Sequence, residues 1–332
     1  MKFEQIVSDL KNKIYHPVYF LFGEEPYFID YITDDIEKNV LNEAEKEFDQ
    51  SVVYGRDVNP GVIIDMARRY PMMSGYQVVV VREAQEIENI ESLKPYVENP
   101  TKSTILALAY KYKRIDKRRE FAKSIEKAGV LFESSKLYES QVPGWITTHL
   151  KSMGYQISPK ACALLAEYLG NDLGRIMNEI EKLIINLHEG AAINEEIIER
   201  NIGISKDYNI FELQSALGTR DRYKALRIIN YFAANPKQNP TVVVLSMLFS
   251  YFVKLMIYHQ LADKTRNNVA SALSVHPFFV REYIVAADNY SMPKLRNIIS
   301  LLRQYDLKVK GVHNNSTADG ELLKELVYKI LH

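Results

Sequence analysis

Cysteine is almost missing from this sequence: Cys162 stands alone among 332 residues. One thiol makes neither an internal disulfide nor a Cys-rich metal site. Such scarcity fits a reducing, cytoplasmic compartment. No apolar h-region opens the N-terminal MKFEQIVSDLKNK, so no secretory signal is expected. Long hydrophobic runs are lacking too. The most apolar stretch, Val242 to Tyr258, is interrupted by Lys254, which leaves VVVLSMLFSYFV uncharged. That is short of the roughly 20 residues a bilayer requires. We read it as a helix buried on most sides within a helical domain, with no membrane partner. Neither sign of charge is in excess, since 42 Lys and Arg meet 42 Asp and Glu. Neutrality excludes a generally basic nucleic-acid coat and a generally acidic tail protein. Internal repeats and low-complexity tracts are also absent.

The chemistry of catalysis is missing as well. VYFLF (18–22) followed by Gly23 and a helix-like segment sits where a nucleotide-binding α/β domain places its phosphate loop. Such a loop needs a second Gly, a Lys for the β/γ-phosphates and a Ser or Thr for magnesium. Here the residues are Gly23, Glu24, Glu25, Pro26, Tyr27 and Phe28. Two carboxylates at a helix start satisfy its dipole themselves and repel ATP. The strand at 76–83 ends in Arg82 and Glu83, without the Asp that holds magnesium. None of the seven His residues has an i,i+4 partner, so a His-based zinc site is unsupported. There is no G-x-S-x-G elbow. Glu179 and Glu181 read as ordinary helix residues. No catalytic, nucleotide, metal or cofactor site is expected.

What is present has the size of two or three domains. Five strand-like runs, VYFLF (18–22), FDQSVVYG (48–55), YQVVVVRE (76–83), STILALAY (103–110) and VLFES (130–134), alternate with helical segments. GVIIDMARRY (61–70) reads as a helix with Val62, Met66 and Arg69 on one face and Ile63 beside them. KRREFAKSIEKAG ends at Gly129, a natural helix stop. Uninterrupted apolar strands between helices predict a parallel α/β sheet covered on both faces. After residue 140 strand signals stop. Four short helical patterns fill 141–207, one of them opened by Ser158 as N-cap before Pro159. From 208 to 332 long helices are punctuated by NPKQNP, HPF and SMP. The expected fold class is α/β plus all-α, with a five-stranded sheet domain over 1–140, a small helical domain over 141–207 and a helical domain over 208–332.

Three features remain. Tyr70, Pro71, Met72 and Met73 connect a helix to the VVVV strand. Methionine suits an adaptable apolar contact, and two adjacent Met in a connector cannot both enter one core. Either they plug a partner's pocket, or both pack beneath the helix end. A basic run, Lys111, Lys113, Arg114, Lys117, Arg118 and Arg119, is open to phosphates or an acidic partner, or is a solvated loop. The acidic Glu83, Glu86, Glu88 and Glu91 read as a solvated face. Charge, finally, is segregated: 1–140 carries 20 basic and 24 acidic residues (net −4), 141–207 carries 6 and 9 (net −3), and 208–332 carries 16 and 9 (net +7).

The sequence resembles the delta subunit of the bacterial DNA polymerase III clamp loader. The resemblance lies in VYFLFGEEPYFIDYI, YPMMSGYQVVVVREA, YLGNDLGRIMNEIEKL, NIFELQSALGTRDRYKAL and LLRQYDLKVKG, in that order over nearly the whole chain. It implies an AAA+ type α/β domain without ATP binding, a helical lid and a helical collar. By the same resemblance the collar would assemble with ATP-hydrolysing subunits and the delta-prime subunit, near primed DNA. The chain would be no enzyme by itself but a subunit of a DNA-directed DNA polymerase, or nucleotidyltransferase, holoenzyme in DNA replication. It would grip the sliding clamp (beta subunit) and help open one interface through an apolar wedge, which falls here on Met72 and Met73 with Tyr70 and Pro71 beside them. Relatives often carry Leu-Phe there, and Arg where this chain has Tyr76. Some relatives set a collar aromatic against the primer–template, and the 311–316 loop offers only His313. Two other functions stay open: a divergent AAA+ ATPase and a stand-alone DNA-binding adaptor.

Overall fold

Six consecutive residues of VYFLFG (β1, Val18–Gly23) are buried, as a strand covered on both faces requires. In the computed structural model, which describes residues 1–332 apart from 189, 206, 313, 315 and the side chain of 139, this strand lies inside a five-stranded sheet. His313 therefore lies outside the described residues. The other strands are β2 (Gln50–Tyr54), β3 (Gln77–Arg82), β4 (Thr104–Lys111) and β5 (Val130–Ser134). Their order is β2-β3-β4-β1-β5 and every pairing is parallel. The five-stranded parallel α/β architecture expected from the sequence is thus the one observed.

Period-two alternation gives the sheet two cores. Phe20, Phe22, Val79, Val81, Leu106 and Leu108 face one side, where the helices Pro60–Ala67 and Glu120–Ala128 contribute Ile63, Ala67, Phe121 and Ile125. Tyr19, Leu21, Val78, Val80, Ile105 and Ala107 face the other, against Ile29, Ile32 and Ile36 of the helix Pro26–Asn39. Each buried Val, Leu, Ile or Phe among them contributes about 1.5–3 kcal/mol by leaving water. The helix after β2 buries Ile63 and Ala67, while Val62 is exposed. The expected face of Val62, Met66 and Arg69 is therefore corrected by one position. It also ends at Ala67, so Arg68 to Tyr70 lie beyond it.

The chain forms two compact units, Met1–Tyr138 with Asn171–Arg175, and Glu139–Gly170 with Ile176–His332. The second contains the helices Val142–Ser152, Pro159–Leu169 and Glu195–Ile202. Ser158 caps Pro159–Leu169 by accepting from the Ala161 N–H at 3.1 Å, as its sequence position predicts. A two-residue parallel ladder, Gln156–Ile157 with Ala192–Ile193, is too short to leave a periodic signal. The longer helices Arg222–Ala234, Thr241–Gln260, Met292–Val309 and Asp319–Leu331 share one apolar core. Thr241–Gln260 is long and apolar enough to cross a membrane by length and composition, and 44% of its most apolar window is buried. Val244, Leu245, Leu248, Tyr251, Phe252 and Leu255 enter the core, whereas Val242, Val243 and Phe249 are exposed. The helix is thus buried along one face rather than on most sides.

Candidate functional site

Between the helix Pro60–Ala67 and β3 the chain runs through Tyr70-Pro71-Met72-Met73-Ser74. Both ends of this segment are fixed. Upstream, Asn59 caps the helix by accepting from the Val62 N–H at 3.1 Å. The carbonyl of Ala67 then accepts from the buried Thr104 Oγ1 at 2.8 Å and from Tyr96 at 3.3 Å. Downstream, Ser74 Oγ donates to the Tyr76 carbonyl at 2.7 Å, and the Gln77 N–H donates to Ser103 O at 2.7 Å. Tyr76 sets its ring edge-on to Tyr15 at 5.4 Å.

The middle is held by a residue that sequence reading missed. Asp49 closes the short helix Glu43–Asp49 and is fully buried. Its carboxylate accepts three successive backbone N–H groups, from Met72 at 2.5 Å, Met73 at 2.8 Å and Ser74 at 2.7 Å. Burial pushes this carboxyl up, but the three donors outweigh it and hold it below the ordinary carboxylate value. A capping box sets the helix that carries it: Asn42 accepts from Glu45 N and Glu45 accepts from Asn42 N. Only the Asn42/Glu45 spacing was readable in the sequence. The 23-residue separation of Asp49 from Met72 leaves no local pattern.

With the backbone so tied, the side chains point outward. Tyr70 is 80% exposed, Met72 78% and Met73 57%, while Pro71 is half-buried. Of the two arrangements open from the sequence, packing beneath the helix end is not the one found. The four predicted residues are contiguous and accessible on one loop.

The corner after β1 is built differently from a phosphate cradle. Gly23 has φ +134°, and a Cβ there would stand 2.0 Å from Ser134 O. That carbonyl accepts the Glu24 N–H at 2.9 Å and the Glu25 N–H at 3.4 Å, while Ser134 Oγ donates to Glu25 O at 2.6 Å. The amides that would meet a phosphate are thus engaged by β5. The Glu25 side chain, buried, accepts from the Tyr27 N–H at 3.1 Å and caps the next helix. Burial first, then the charge of Asp172, raises its carboxyl above the usual range, against the Tyr27 N–H and Lys136.

Only Lys111 of the basic run is buried; the other five cations stay in solvent, each with a partner within the chain. Lys111 is buried between Asp30 (2.7 Å) and Glu83 (2.9 Å). Lys113 donates to Gln85 O, and Arg114, Lys117, Arg118 and Arg119 pair with Glu24, Glu133, Asp116 and Glu91. Glu83 and Glu91 are two of those partners; of the face expected to be solvated, Glu86, Glu88 and Glu91 are exposed and Glu83 is half-buried. Among the described residues no group of three or more His, Cys, Asp or Glu could hold a metal.

Comparison with known proteins matches both ends of the chain to one subunit. Residues 19–135 fit the family model of the DNA polymerase III delta subunit, and residues 207–327 that of its C-terminal domain. DNA polymerase III subunit delta of Bacillus subtilis (strain 168) is 27% identical, over 96% of this chain and 94% of that protein. The probable DNA polymerase III subunit delta of Aquifex aeolicus (strain VF5) is 21% identical, over 87% and 85%. The structure of the Bacillus subtilis DNA clamp loader delta protein superposes with a TM-score of 0.54 at 24% identity, covering 99% of both chains, and shares the fold. With two models of one subunit spanning its sheet and its C-terminal helices, this chain belongs to the DNA polymerase III delta subunit family.

Proposed function

We propose that this chain is the clamp-gripping subunit of a cytoplasmic clamp loader, and that Tyr70, Pro71, Met72 and Met73 contact the sliding clamp. Met72 and Met73 enter an apolar clamp pocket and favour the form of the ring with one interface open. A ligand shifts such an equilibrium only by its differential affinity for the two forms. The observation that carries the reading is the pair of exposed methionines on a backbone fixed at three consecutive amides. Methionine fits an apolar pocket without a demanding shape. The chain does its work by binding rather than by catalysis. The engaged amides of Glu24 and Glu25 support that view, because they leave no cradle for a nucleotide.

In the same reading, 1–140 is the clamp-binding domain of AAA+ type, 141–207 the lid, and 208–332 the collar. The collar joins the ATP-hydrolysing subunits and delta-prime into one assembly, with its net charge of +7 near primed DNA. A clamp-binding titration tests the reading. Burying the two methionines is worth about 2–4 kcal/mol, so Met72→Ser with Met73→Ser lowers affinity roughly thirty- to a thousandfold. Unchanged affinity in the double variant sinks the wedge assignment, and magnesium-dependent ATP binding by the isolated chain in equilibrium dialysis sinks the non-catalytic one.

A further inference from the structure

We infer that Asp49 is a positioning residue for the methionine segment, presetting Tyr70–Ser74 so that Met72 and Met73 stand in solvent before any partner arrives. The inference rests on the clamp-binding reading for its consequence, but not for its geometry. An exposed pair of methionines is not a stable arrangement by itself. Left free, a five-residue connector folds its apolar side chains back onto the nearest apolar surface, since water favours that burial. Ile64 and Met66 offer such a surface, being only partly buried at the end of the helix Pro60–Ala67. What opposes collapse is the backbone. Three consecutive N–H groups converge on one carboxylate, two of them on Oδ2 and one on Oδ1. That is an anion nest made inside the protein, with a side chain as the anion.

Asp49 is suited to this by its own placement. It is 0% exposed, so the bonds are shielded from competing water. It sits where the helix Glu43–Asp49 meets β2, and Gln50 to Tyr54 are then locked to β3 in register. The acceptor is therefore anchored next to the first residue of β2, and the segment inherits the sheet's rigidity. Preorganisation of this kind raises affinity by removing the ordering cost from the binding step. Residue 49 also requires an aspartate. Asparagine keeps one acceptor oxygen and replaces the other with an NH₂ donor facing an N–H.

The test is a double-mutant cycle on the full chain, read as clamp affinity. Asp49→Asn and Asp49→Ala each weaken binding about tenfold or more when Met72 and Met73 are present, and less than about twofold on top of Met72→Ser with Met73→Ser. Equal losses in both backgrounds overturn the inference, because Asp49 then acts on something other than the methionines, while the clamp reading stands. Loss of the methionine effect itself removes the clamp reading. The positioning role is then decided by amide hydrogen exchange of the unmodified chain, which needs no variant to fold. The amides of Met72, Met73 and Ser74 exchange at least about tenfold more slowly than an unstructured chain in the free protein, and equally slowly in the clamp complex. Unprotected amides in the free chain, protected only on binding, overturn it.

Discussion

Single residues in this protein mostly act by deciding where a charge or an amide is spent. Lys111 shows the rule. It begins the basic run that the sequence left open to a phosphate, yet it is 9% exposed and lies between Asp30 and Glu83. Burial alone would lower its ammonium's affinity for a proton, but the two carboxylates more than reverse this and raise it above the usual lysine value. Replacing it strands two partly buried acids. Lys111→Met is expected to destabilise the fold by about 2–3 kcal/mol, less than the loss of one partner from a fully buried pair because Asp30 and Glu83 are each more than a third exposed, with the midpoint of urea unfolding as the readout. A loss under about 1 kcal/mol, the range of surface pairs, would show that the charges are solvated after all. The replacement leaves the methionine segment alone, so clamp affinity at temperatures where the variant is folded stays unchanged.

At the scale of elements, the approach of β1 to β5 is the feature on which the most depends. Gly23 ends β1 with a positive φ and lies so close to Ser134 that any side chain collides with its backbone oxygen. Gly23→Ala must therefore separate the strands or break the Glu24 and Glu25 bonds to that oxygen. We expect a cost of about 3 kcal/mol or more, the range of backbone strain compounded with lost hydrogen bonds. Chemical denaturation gives the number, and an alanine that costs nothing would mean that the corner rearranges freely. The five strands were legible, and so was the burial of all but the edge strand β2, because an apolar run flanked by helical periods has few other interpretations. FDQSVVYG was legible only in part. Its first residues finish a helix, and Asp49, the residue the site depends on, was read as strand. The exposure of Met72 and Met73 was legible as one of two possibilities. What decided between them, a carboxylate 23 residues upstream, is a long-range contact that no local pattern records.

The molecule as a whole carries its charge unevenly, and the structure separates cations already spent from cations still available. Summed charge in 1–140 is net −4, and its one basic run is paired internally. Residues 208–332 are net +7. There Arg220, Arg222 and Lys294 lie near one another, and after burial their mutual repulsion holds the Lys294 ammonium below the ordinary lysine value. Like charges kept together in a protein without net charge favour an anion coming to them. Each phosphate neutralised releases counterions, so the logarithm of the DNA association constant falls with the logarithm of salt with a slope of about −0.9 per contact on duplex. Full-length protein titrated on a primer–template between about 50 and 200 mM salt reads that slope. Arg222→Gln with Lys294→Gln is expected to flatten it by about 2. Arg114→Gln with Arg119→Gln removes the same charge from the basic run and is expected to leave the slope alone, because those cations are already paired with the carboxylates of Glu24 and Glu91. Equal flattening by both pairs would mean that DNA senses only net charge, and the collar would lose its assignment as the end that faces primed DNA.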